Sequence, residues 1–548
     1  MKLECSLDDY KFALEAIDVY RDQVKLKVRN VVYSNGKLDA DLIEQFQHIV
    51  HGFAWLSAYG ETLQASLQWA HELEAQSKFS ELEKTILAIG FNEYLNQIIF
   101  GLAMSQDEVI RPIHFQTEKE ATELRNHSAV ARILQQSLAQ DLKKNFIELI
   151  IANGVEQGVG DVGLDFTGEM IRDQIKRFVK DEITPYAGDW HNNNELIPAE
   201  VIKQMAELGV FGITVPTEYG GMGLGVRAMC VVTEELSKGY IGAGSLGTRT
   251  EIACELIKSG GTQAQKNKYL PKLAAGTLLP TAVFTEPDIG SDLANLKTRA
   301  THQDDKFVVT GNKTWITHAS RTDLMTMLVR TNPNEKGYKG LSMLLAEKPR
   351  GTDNDLFPAD GMDGSEIHVL GYRGMREYEL SFDGFEVPEE NLLGGEEGKG
   401  FKQLMATFES ARIQTAARAV GVAQNAFELG FNYACDRIQF SKPIISFPRV
   451  YGKLATMAVE IMLVRQLTYH AARVKEAGKR SDVEAGMAKL LAARVAWSAA
   501  DNTLQIHGGN GYSLEYPISR VLVDSRILNV FEGAAEIQAQ VIAKNLLA

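Results

Sequence analysis

Apolar residues recur at helical spacing through the first 155 residues of the chain. Ile43, Phe46, Ile49, Val50 and Phe53 fall on one helical face, and the stretch SELEKTILAIGFNEYLNQIIFGLAM repeats the spacing. Amphipathic helices need a partner surface to cover their apolar stripe. The pattern therefore predicts a small helical bundle over residues 1–155 that packs against the rest of the chain.

The periodicity stops in the Gly-rich stretch ANGVEQGVGDVGLD, residues 152–165, which predicts a linker and a domain boundary. A second helical block follows over residues 156–280. Its first helix, GEMIRDQIKRFVKDEI, is expected to have Thr167 as its N-cap and Pro185 beyond its end.

Short runs bounded by Gly, Asn, Asp and Pro replace the helical period over residues 281–392. The runs KFVVTGNKTWIT, LMTMLVRT, LSMLLAEKP and EYELSFDGFEVP predict antiparallel strands. Helical patterns return over residues 393–548. The expected fold class is mainly α with a middle antiparallel β-domain, preceded by an extra helical domain.

Composition narrows the function classes. The 548 residues carry a formal net charge of -14, which argues against a nucleic-acid partner. The 4 cysteines show no C-x-x-C spacing and are expected to be reduced thiols. The N-terminal MKLECSLDDYK has neither signal nor transit features, and no apolar run is long enough to span a membrane. These features predict a bacterial cytoplasmic protein.

Single motifs are ambiguous. FTEPDIGSD is a surface turn or a loop that faces a polar ligand, and Trp315 in GNKTWIT is core or flanks a flat ring. QIHGGNGY lacks the Rossmann glycine spacing. The histidines show no metal-ligand clustering, so no metal site is expected, and Glu515 and Asp524 are expected to be solvated.

The order of the motifs is more specific. TEPDIGSD, KTWIT, DRIQFSKPI, QIHGGNGY and FEGAAEIQ follow one another over residues 165–548 in an order and spacing that resemble the acyl-CoA dehydrogenase family. The resemblance implies an α-domain, a β-domain and a C-terminal four-helix domain, with FAD shared between subunits and hence a homodimer or tetramer. The N-terminal extension is most similar to members that oxidise (2S)-methylsuccinyl-CoA to mesaconyl-CoA and pass electrons to an electron-transfer flavoprotein.

The resemblance also implies residue roles for the cofactor. Residues matching the family's FAD contacts lie in the β-domain, in the DRIQF segment of the neighbouring subunit, in the glycine loop and after the FEG motif. They are Phe284, Thr285, Trp315, Ile316, Thr317, Arg437, Gln439, Phe440, Gln505, Gly508, Gly509, Ala534 and Glu536.

The catalytic base is expected at Glu532. Many members carry Tyr-Glu-Gly-Thr, and this chain has Phe531-Glu532-Gly533-Ala534. Other members place the base just before an arginine on a helix, where this chain has Ala411. A dry pocket would raise the basicity of the carboxylate. The Ala at 534 removes a hydroxyl and leaves one FAD hydrogen bond open. Family positions that hold the thioester arm are matched by Ser291, Glu409, Arg412 and Gly533.

Two departures from the family bear on the substrate. Arg249 lies in GAGSLGTRTEIAC, where most members have small or apolar groups. It either points to solvent or pairs with a distal carboxylate of the acyl group. Met375, Arg376 and Glu377 replace small hydroxyl residues. Their charges either tune the polarity near the flavin or pair with each other. Both departures favour a short, branched, dicarboxylic acyl group.

Three alternatives stay open at this point. The first is a dehydrogenase for another short or branched acyl-CoA. The second is an acyl-CoA oxidase that uses dioxygen. The third is a non-catalytic, nucleic-acid-associated flavoprotein, which the net charge of -14 and the presence of Glu532 disfavour and which a salt-dependent gel shift on DNA would support.

Overall fold

The computed structural model describes residues 5–136, 140–155 and 158–548. Two separately packed units form within it, one from Met1–Met170 with Thr415–Ala548 and one from Ile171–Gln414. Residue 156, where the sequence predicts a domain boundary, and residues 1–4 of the N-terminal stretch lie outside the described residues.

The N-terminal region is helical, as the apolar spacing predicts. Its elements are α1 Leu7–Val32, β1 Tyr33–Ser34, β2 Lys37–Leu38, α2 Ala40–Gln45, α3 Gln47–Ala75, α4 Glu81–Phe100, β3 Leu102–Ala103, β4 Val109–Ile110, α5 Pro112–Phe115, α6 Glu118–Asn126, α7 Ser128–Gln136 and α8 Gln140–Asn153. Ser80 caps α4, because its hydroxyl oxygen accepts from the backbone N–H of Leu82 while Glu83 binds back to the cap.

A second set of helices follows. It comprises α9 Phe166–Phe178, α10 Ala187–Asn192, α11 Ala199–Glu207, α12 Val226–Gly239, α13 Ile241–Gly260 and α14 Gln263–Ala274. The expected N-cap is wrong by two residues. Thr167 lies inside α9, and the carboxylate of Asp165 accepts from the N–H of Gly168 at 2.7 Å. Asp is at least as good a cap as Thr, so the helix begins earlier.

The β-region is a seven-stranded sheet. Its strands are β5 Pro280–Val283, β6 Arg299–Gln303, β7 Lys306–Thr317, β8 Leu324–Arg330, β9 Leu341–Glu347, β10 Met362–Ile367 and β11 Glu377–Pro388. The four predicted runs are β7, β8, β9 and β11, and the pairs β7–β11 and β8–β9 are antiparallel. Strand β5, at one end of the strand order, adds a parallel pairing with β8.

The chain ends in long helices. They are α15 Gly400–Asp436, α16 Pro448–Glu476, α17 Asp482–His507, α18 Pro517–Arg526 and α19 Ala535–Leu547, with a hairpin of β12 Ile438–Gln439 and β13 Lys442–Pro443 after α15. Within the described residues no helix is both long and apolar enough to cross a membrane.

The N-terminal helices cover the C-terminal ones. Helix α3 packs against α16, α17 and α19, and α4 and α8 pack against α16. At Gly90 the helices approach so closely that a Cβ atom would lie 3.0 Å from the side chain of Leu463. Polar contacts support the packing, since Tyr33 donates to the carbonyl of Leu547 at 2.8 Å and Lys143 donates to Thr456 at 3.0 Å. The apolar stripes of the extension thus have their partner surface.

A buried ion pair lies at the centre of this contact. Arg494 of α17 lies 2.8 Å from a carboxylate oxygen of Glu460 in α16. The same guanidinium donates to the hydroxyl of Tyr59 in α3 and to the carbonyl of Ala103. Burial raises the pKa of Glu460, and Arg494 opposes that shift.

We expect Arg494→Met to destabilise the protein by about 3–5 kcal/mol, because Glu460 would keep a buried charge without its cation. Urea unfolding of the full chain measures the change. The double variant R494M/E460Q should recover most of the loss. Additive effects of the two single variants would contradict a coupled pair.

Candidate active site

Glu532 lies in a short loop between α18 and α19. Its φ is +53° and that of Gly533 is +94°, so two consecutive residues have left-handed backbone. A Cβ atom on Gly533 would lie 1.9 Å from the side-chain nitrogen of Gln538. Glycine is therefore required beside Glu532, and the loop carries backbone strain that its surroundings must hold in place.

The carboxylate of Glu532 is held from α15. The hydroxyl of Thr415 and the guanidinium of Arg418 both donate to its Oε2 atom. Arg418 is fully buried, and the side chain of Glu532 is 13% exposed. The carboxylate is thus largely, though not fully, removed from solvent, and neither Thr415 nor Arg418 was identified from the sequence. The available signal was an arginine inside the otherwise small and apolar stretch TAARAVGVA.

The exposed cofactor candidates of this unit lie on two neighbouring segments. Tyr433, near the end of α15, donates to the carbonyl of His507 at 3.2 Å and stacks on its ring. The β12–β13 hairpin and the glycine loop after α17 are thereby brought together, and both are solvent-facing. The candidates on or next to these segments are all exposed: Arg437 before β12, Gln439, Phe440, Gln505 in the last turn of α17, Gly508 and Gly509.

The open surface around the glycine loop suits a flat or extended ligand. A Cβ atom at Gly508 or Gly509 would meet nothing within 4 Å. Phe440 is 88% exposed on the hairpin. Ala534 immediately precedes the first turn of α19, and the exposed Glu536 lies within that turn.

In the sheet unit, the remaining cofactor candidates lie at neighbouring strand ends. The N–H of Thr314 donates to the carbonyl of Thr285 at 3.0 Å, which joins the FTEPDIGSD loop to β7. Trp315 lies in a bulge of β7 with a φ of +58°, and its side chain is 56% exposed. Ile316 and Thr317 are buried, and Phe284 is partly buried. The bulge turns the indole outward, so Trp315 is not a core residue.

A buried lysine fixes this loop to the sheet. Lys313 is fully buried and donates to the carbonyls of Phe284 and Leu328, each at 2.9 Å, and to Glu286 at 3.0 Å. Burial lowers the pKa of Lys313 to about 8, although Glu286 opposes the shift. Burial tends to raise the pKa of Glu286, but Lys313 and backbone N–H groups hold it below its ordinary value. The sequence motifs did not indicate this pair.

We expect Lys313→Met to weaken flavin retention and to lower stability by about 3–5 kcal/mol, because Glu286 would stay buried without its cation and the Phe284 carbonyl would lose its donor. Flavin content after gel filtration and urea unfolding measure the two effects. K313M/E286Q should recover stability but only part of the flavin content. Equal recovery of both would contradict a direct role of Lys313 in holding the loop.

Arg249 and Glu377, which the sequence singled out separately, come together in this unit. Glu377 is buried, and its two carboxyl oxygens accept from the hydroxyl of Thr317 at 2.8 and 3.0 Å. Burial raises the pKa of Glu377 to about 8, and the Thr317 hydroxyl and the nearby Arg249 guanidinium partly oppose the shift. Arg249 is partly buried, not fully solvated.

Arg376 and Glu377 do not pair with each other. Arg376 lies 3.5 Å from Glu366 and donates to the carbonyl of Asn194 at 3.1 Å. Its neighbour Glu377 faces Thr317 instead. The hypothesis that the charges of Arg376 and Glu377 pair with each other is therefore wrong.

The remaining substrate candidates lie on the loop after β5 and on α15. Ser291 is exposed, whereas Glu409 and Arg412 are partly buried, and the Arg412 guanidinium lies 5.7 Å from the ring centre of Phe408. One sequence expectation is wrong. Asp524 is 1% exposed and lies 3.6 Å from Arg520. Within the described residues, no three His, Cys, Asp or Glu side chains are grouped to hold a metal ion.

Three family models match the chain in sequence order. They describe the acyl-CoA dehydrogenase N-terminal domain over residues 167–277, the middle domain over residues 281–385 and the C-terminal domain over residues 398–547. The chain belongs to the acyl-CoA dehydrogenase family.

Individual family members are also similar to the chain. (2S)-Methylsuccinyl-CoA dehydrogenase of Cereibacter sphaeroides is 56% identical over 536 residues, which cover 98% of this chain and 97% of that protein. The solved structure of a glutaryl-CoA dehydrogenase in complex with glutaryl-CoA aligns with a TM-score of 0.66 at 32% identity, covering 70% of this chain and 96% of that one. A Mycobacterium smegmatis glutaryl-CoA dehydrogenase in complex with FADH2 aligns with a TM-score of 0.64 at 28% identity, covering 70% and 95%.

Membership confirms the expected fold class and the enzyme class. The protein has the acyl-CoA dehydrogenase fold with an additional N-terminal helical region, and it is an FAD-dependent oxidoreductase that acts on an acyl-CoA. The chain's own residues fit FAD. Trp315 offers a half-exposed indole beside a buried hydroxyl, and the open glycine loop leaves room for an extended ligand.

Proposed function

We propose that the protein catalyses the α,β-dehydrogenation of a short branched acyl-CoA, (2S)-methylsuccinyl-CoA, to mesaconyl-CoA, and that electrons pass to an electron-transfer flavoprotein. The observation that carries the proposal is the Glu532 carboxylate, held by buried donors in a strained loop. The 56% identity to a methylsuccinyl-CoA dehydrogenase over 98% of the chain supports the choice of acyl group.

Glu532 would act as the base. The α-C–H of a thioester is a weak acid, so its removal needs a carboxylate that is ionised, oriented and shielded from water. Phe531 is partly buried beside Glu532 and would keep water from the carboxylate. The backbone N–H of Glu532 would donate to the thioester oxygen, where negative charge develops as the proton leaves.

FAD supplies the acceptor for the β-hydrogen, which leaves as hydride. Phe284, Thr285, Trp315, Ile316 and Thr317 would hold FAD from the sheet unit. Further residues match the family's FAD contacts, and the DRIQF segment would be contributed by a second copy of the chain. They are Arg437, Gln439, Phe440, Gln505, Gly508, Gly509, Ala534 and Glu536.

The acyl-CoA would be bound through its thioester arm and its acyl end. Ser291, Glu409, Arg412 and Gly533 would hold the arm. Arg249 would bind the distal carboxylate of the acyl group, because a guanidinium matches a carboxylate in charge and in geometry. The raised pKa of Glu377, about 8, leaves that carboxyl group protonated at neutral pH. The positive charge of Arg249 is then not cancelled by Glu377.

The organisation that we propose with this function is a homo-oligomer in the bacterial cytoplasm. The chain would comprise an N-terminal extension over residues 1–155, an α-domain over 156–280, a β-domain over 281–392 and a helical domain over 393–548. An FAD site shared between subunits requires at least a dimer. The contacts of α3 and α4 with α16 support a packing role for the extension. A truncated chain that stays dimeric and fully active would contradict that role.

The test is anaerobic. The purified protein is mixed with methylsuccinyl-, succinyl-, butyryl- and isovaleryl-CoA, and the flavin absorbance is recorded. Bleaching by methylsuccinyl-CoA alone supports the proposal. Bleaching by butyryl- or isovaleryl-CoA keeps the mechanism and removes the proposed substrate. Rapid recovery of the colour in air, with hydrogen peroxide released, would indicate an oxidase instead.

A further inference from the structure

Three consecutive residues of the Glu532 loop are held by two buried cations. The guanidinium of Arg418 donates to the Glu532 carboxylate and lies 4.8 Å from the ring centre of Phe531. Lys489 of α17 is 1% exposed, and its ammonium group donates to the carbonyl of Gly533 at 2.6 Å. The loop is thus fixed from α15 on one side and from α17 on the other.

Arg418 is part of a hydrogen-bond network with Thr415 and Glu532. It lies one helical turn after Thr415 and donates to the Thr415 hydroxyl oxygen at 2.8 Å, while that hydroxyl donates to Glu532. Two donors therefore meet at one carboxylate oxygen, which fixes the rotamer of the acid. Loss of one member of such a buried network leaves buried charge behind.

Shielding the Glu532 carboxylate from water makes it harder for that group to act as a base. Removal from water favours the neutral form of a carboxyl group, and a protonated acid cannot accept a further proton. A cation at hydrogen-bond distance favours the ionised form. Arg418 of α15 and Lys489 of α17 are charged groups that contact this loop; Arg418 donates to the carboxylate itself, and Lys489 donates to the carbonyl of Gly533.

We infer that Arg418 is a positioning residue for the reaction, which keeps the Glu532 carboxylate ionised and aimed within its shielded loop, and that Thr415 fixes the same oxygen. The inference rests on the proposed role of Glu532 as the base. Arg418 acts through Glu532.

The first experiment is the pH dependence of anaerobic flavin bleaching by methylsuccinyl-CoA. In Arg418→Met the acid limb of the profile should move upward by about 1–3 pH units, because the ionised acid loses its cation. At pH 7 bleaching should slow by about 10- to 1,000-fold and recover in part at alkaline pH. Arg418→Lys should restore much of the wild-type profile. Thr415→Val should slow bleaching with a smaller upward shift of the acid limb than R418M, because it removes a neutral donor and not a cation.

The matched control is Arg465→Met. Arg465 is 5% exposed on α16 and donates to Gln424 at 3.1 Å, so it is a buried arginine of the same unit with no hydrogen bond to Glu532 among those described. The control should keep the wild-type pH profile. The inference would be overturned if the acid limb of R418M did not shift. It would also be overturned if R418M and R465M lost the same fraction of the bleaching rate at every pH.

A second measurement does not depend on turnover. Urea midpoints of wild type, R418M, E532Q and the double variant form a cycle at pH 7. The double variant should be more stable than the sum of the two single losses implies, because it removes both partners of a buried pair. If the stability losses of R418M and E532Q simply add in the double variant, Arg418 and Glu532 are not a coupled pair. Absence of bleaching with every acyl-CoA would instead remove the proposed function, and the cycle would still report on the pair.

Discussion

Glu532→Gln should bind flavin like the wild type and stay yellow when mixed with methylsuccinyl-CoA in the absence of oxygen. The amide keeps the size of the side chain and can still accept from Arg418 and Thr415, but it cannot take a proton from the substrate. General-base catalysis contributes about 10²- to 10⁴-fold, so we expect the bleaching rate to fall by at least about 10²-fold. Stopped-flow absorbance of the flavin measures the rate.

The matched control is Glu515→Gln, which makes the same chemical change at an exposed residue in the segment before α18. It should bleach at the wild-type rate. Flavin content and urea midpoint must be recorded for both variants, because Glu532→Gln also removes the counter-ion of a buried arginine. Bleaching of E532Q within about threefold of wild type, with flavin retained, would show that the base lies elsewhere.

The prediction isolates one chemical step. The proposed flavin contacts lie on the exposed glycine loop, the hairpin and the sheet, and none of these residues changes in Glu532→Gln. A yellow protein that does not bleach therefore separates cofactor binding from proton removal. Loss of flavin in the variant would instead point to a structural role of the Arg418–Glu532 pair.

Local patterns predicted the elements of the fold well. Strand β7 runs over Lys306–Thr317 and β11 over Glu377–Pro388, as the runs of residues between Gly, Asp and Pro had indicated. These signals are local, because turn residues and alternation act within a few positions. The predicted N-cap of α9 was wrong for a reason that is also local. Asp165 and Thr167 are both good caps, and the sequence does not decide between them.

The pairs that tune the candidate site were not predictable in the same way. Arg418 and Glu532 are 114 residues apart, and Thr317 and Glu377 are 60 residues apart. A charged residue inside an apolar helix indicates that a partner must exist, since a lone buried charge is too costly, but it does not say which residue the partner is. The same reasoning applies to Lys313, a buried charge in strand β7, and to Arg249, a partly buried charge in α13. The sequence identified the candidate base, and the fold supplied its surroundings.

Replacing Arg249 by Leu should reduce the apparent affinity for methylsuccinyl-CoA by about 30- to 1,000-fold, the cost of removing one partner of a largely buried charge pair. Leu fills similar space without a charge, so butyryl-CoA should bleach the flavin at least as well as in wild type. The concentration dependence of bleaching with the two substrates measures the change. An unchanged preference for the dicarboxylic substrate would show that Arg249 does not bind its carboxylate.

The matched control is Arg299→Leu on β6, where the arginine is exposed. It should leave the apparent affinity for both methylsuccinyl-CoA and butyryl-CoA unchanged.

The titration of Glu377 predicts how the affinity for methylsuccinyl-CoA changes with pH. Its pKa is about 8, so the acid is neutral below that pH and ionised above it, where it competes for Arg249. Affinity for methylsuccinyl-CoA should therefore fall as the pH rises through about 8, and affinity for butyryl-CoA should not. Glu377→Gln removes the ionisation and should flatten the methylsuccinyl-CoA profile. A fall that persists in Glu377→Gln would assign the titration to another group.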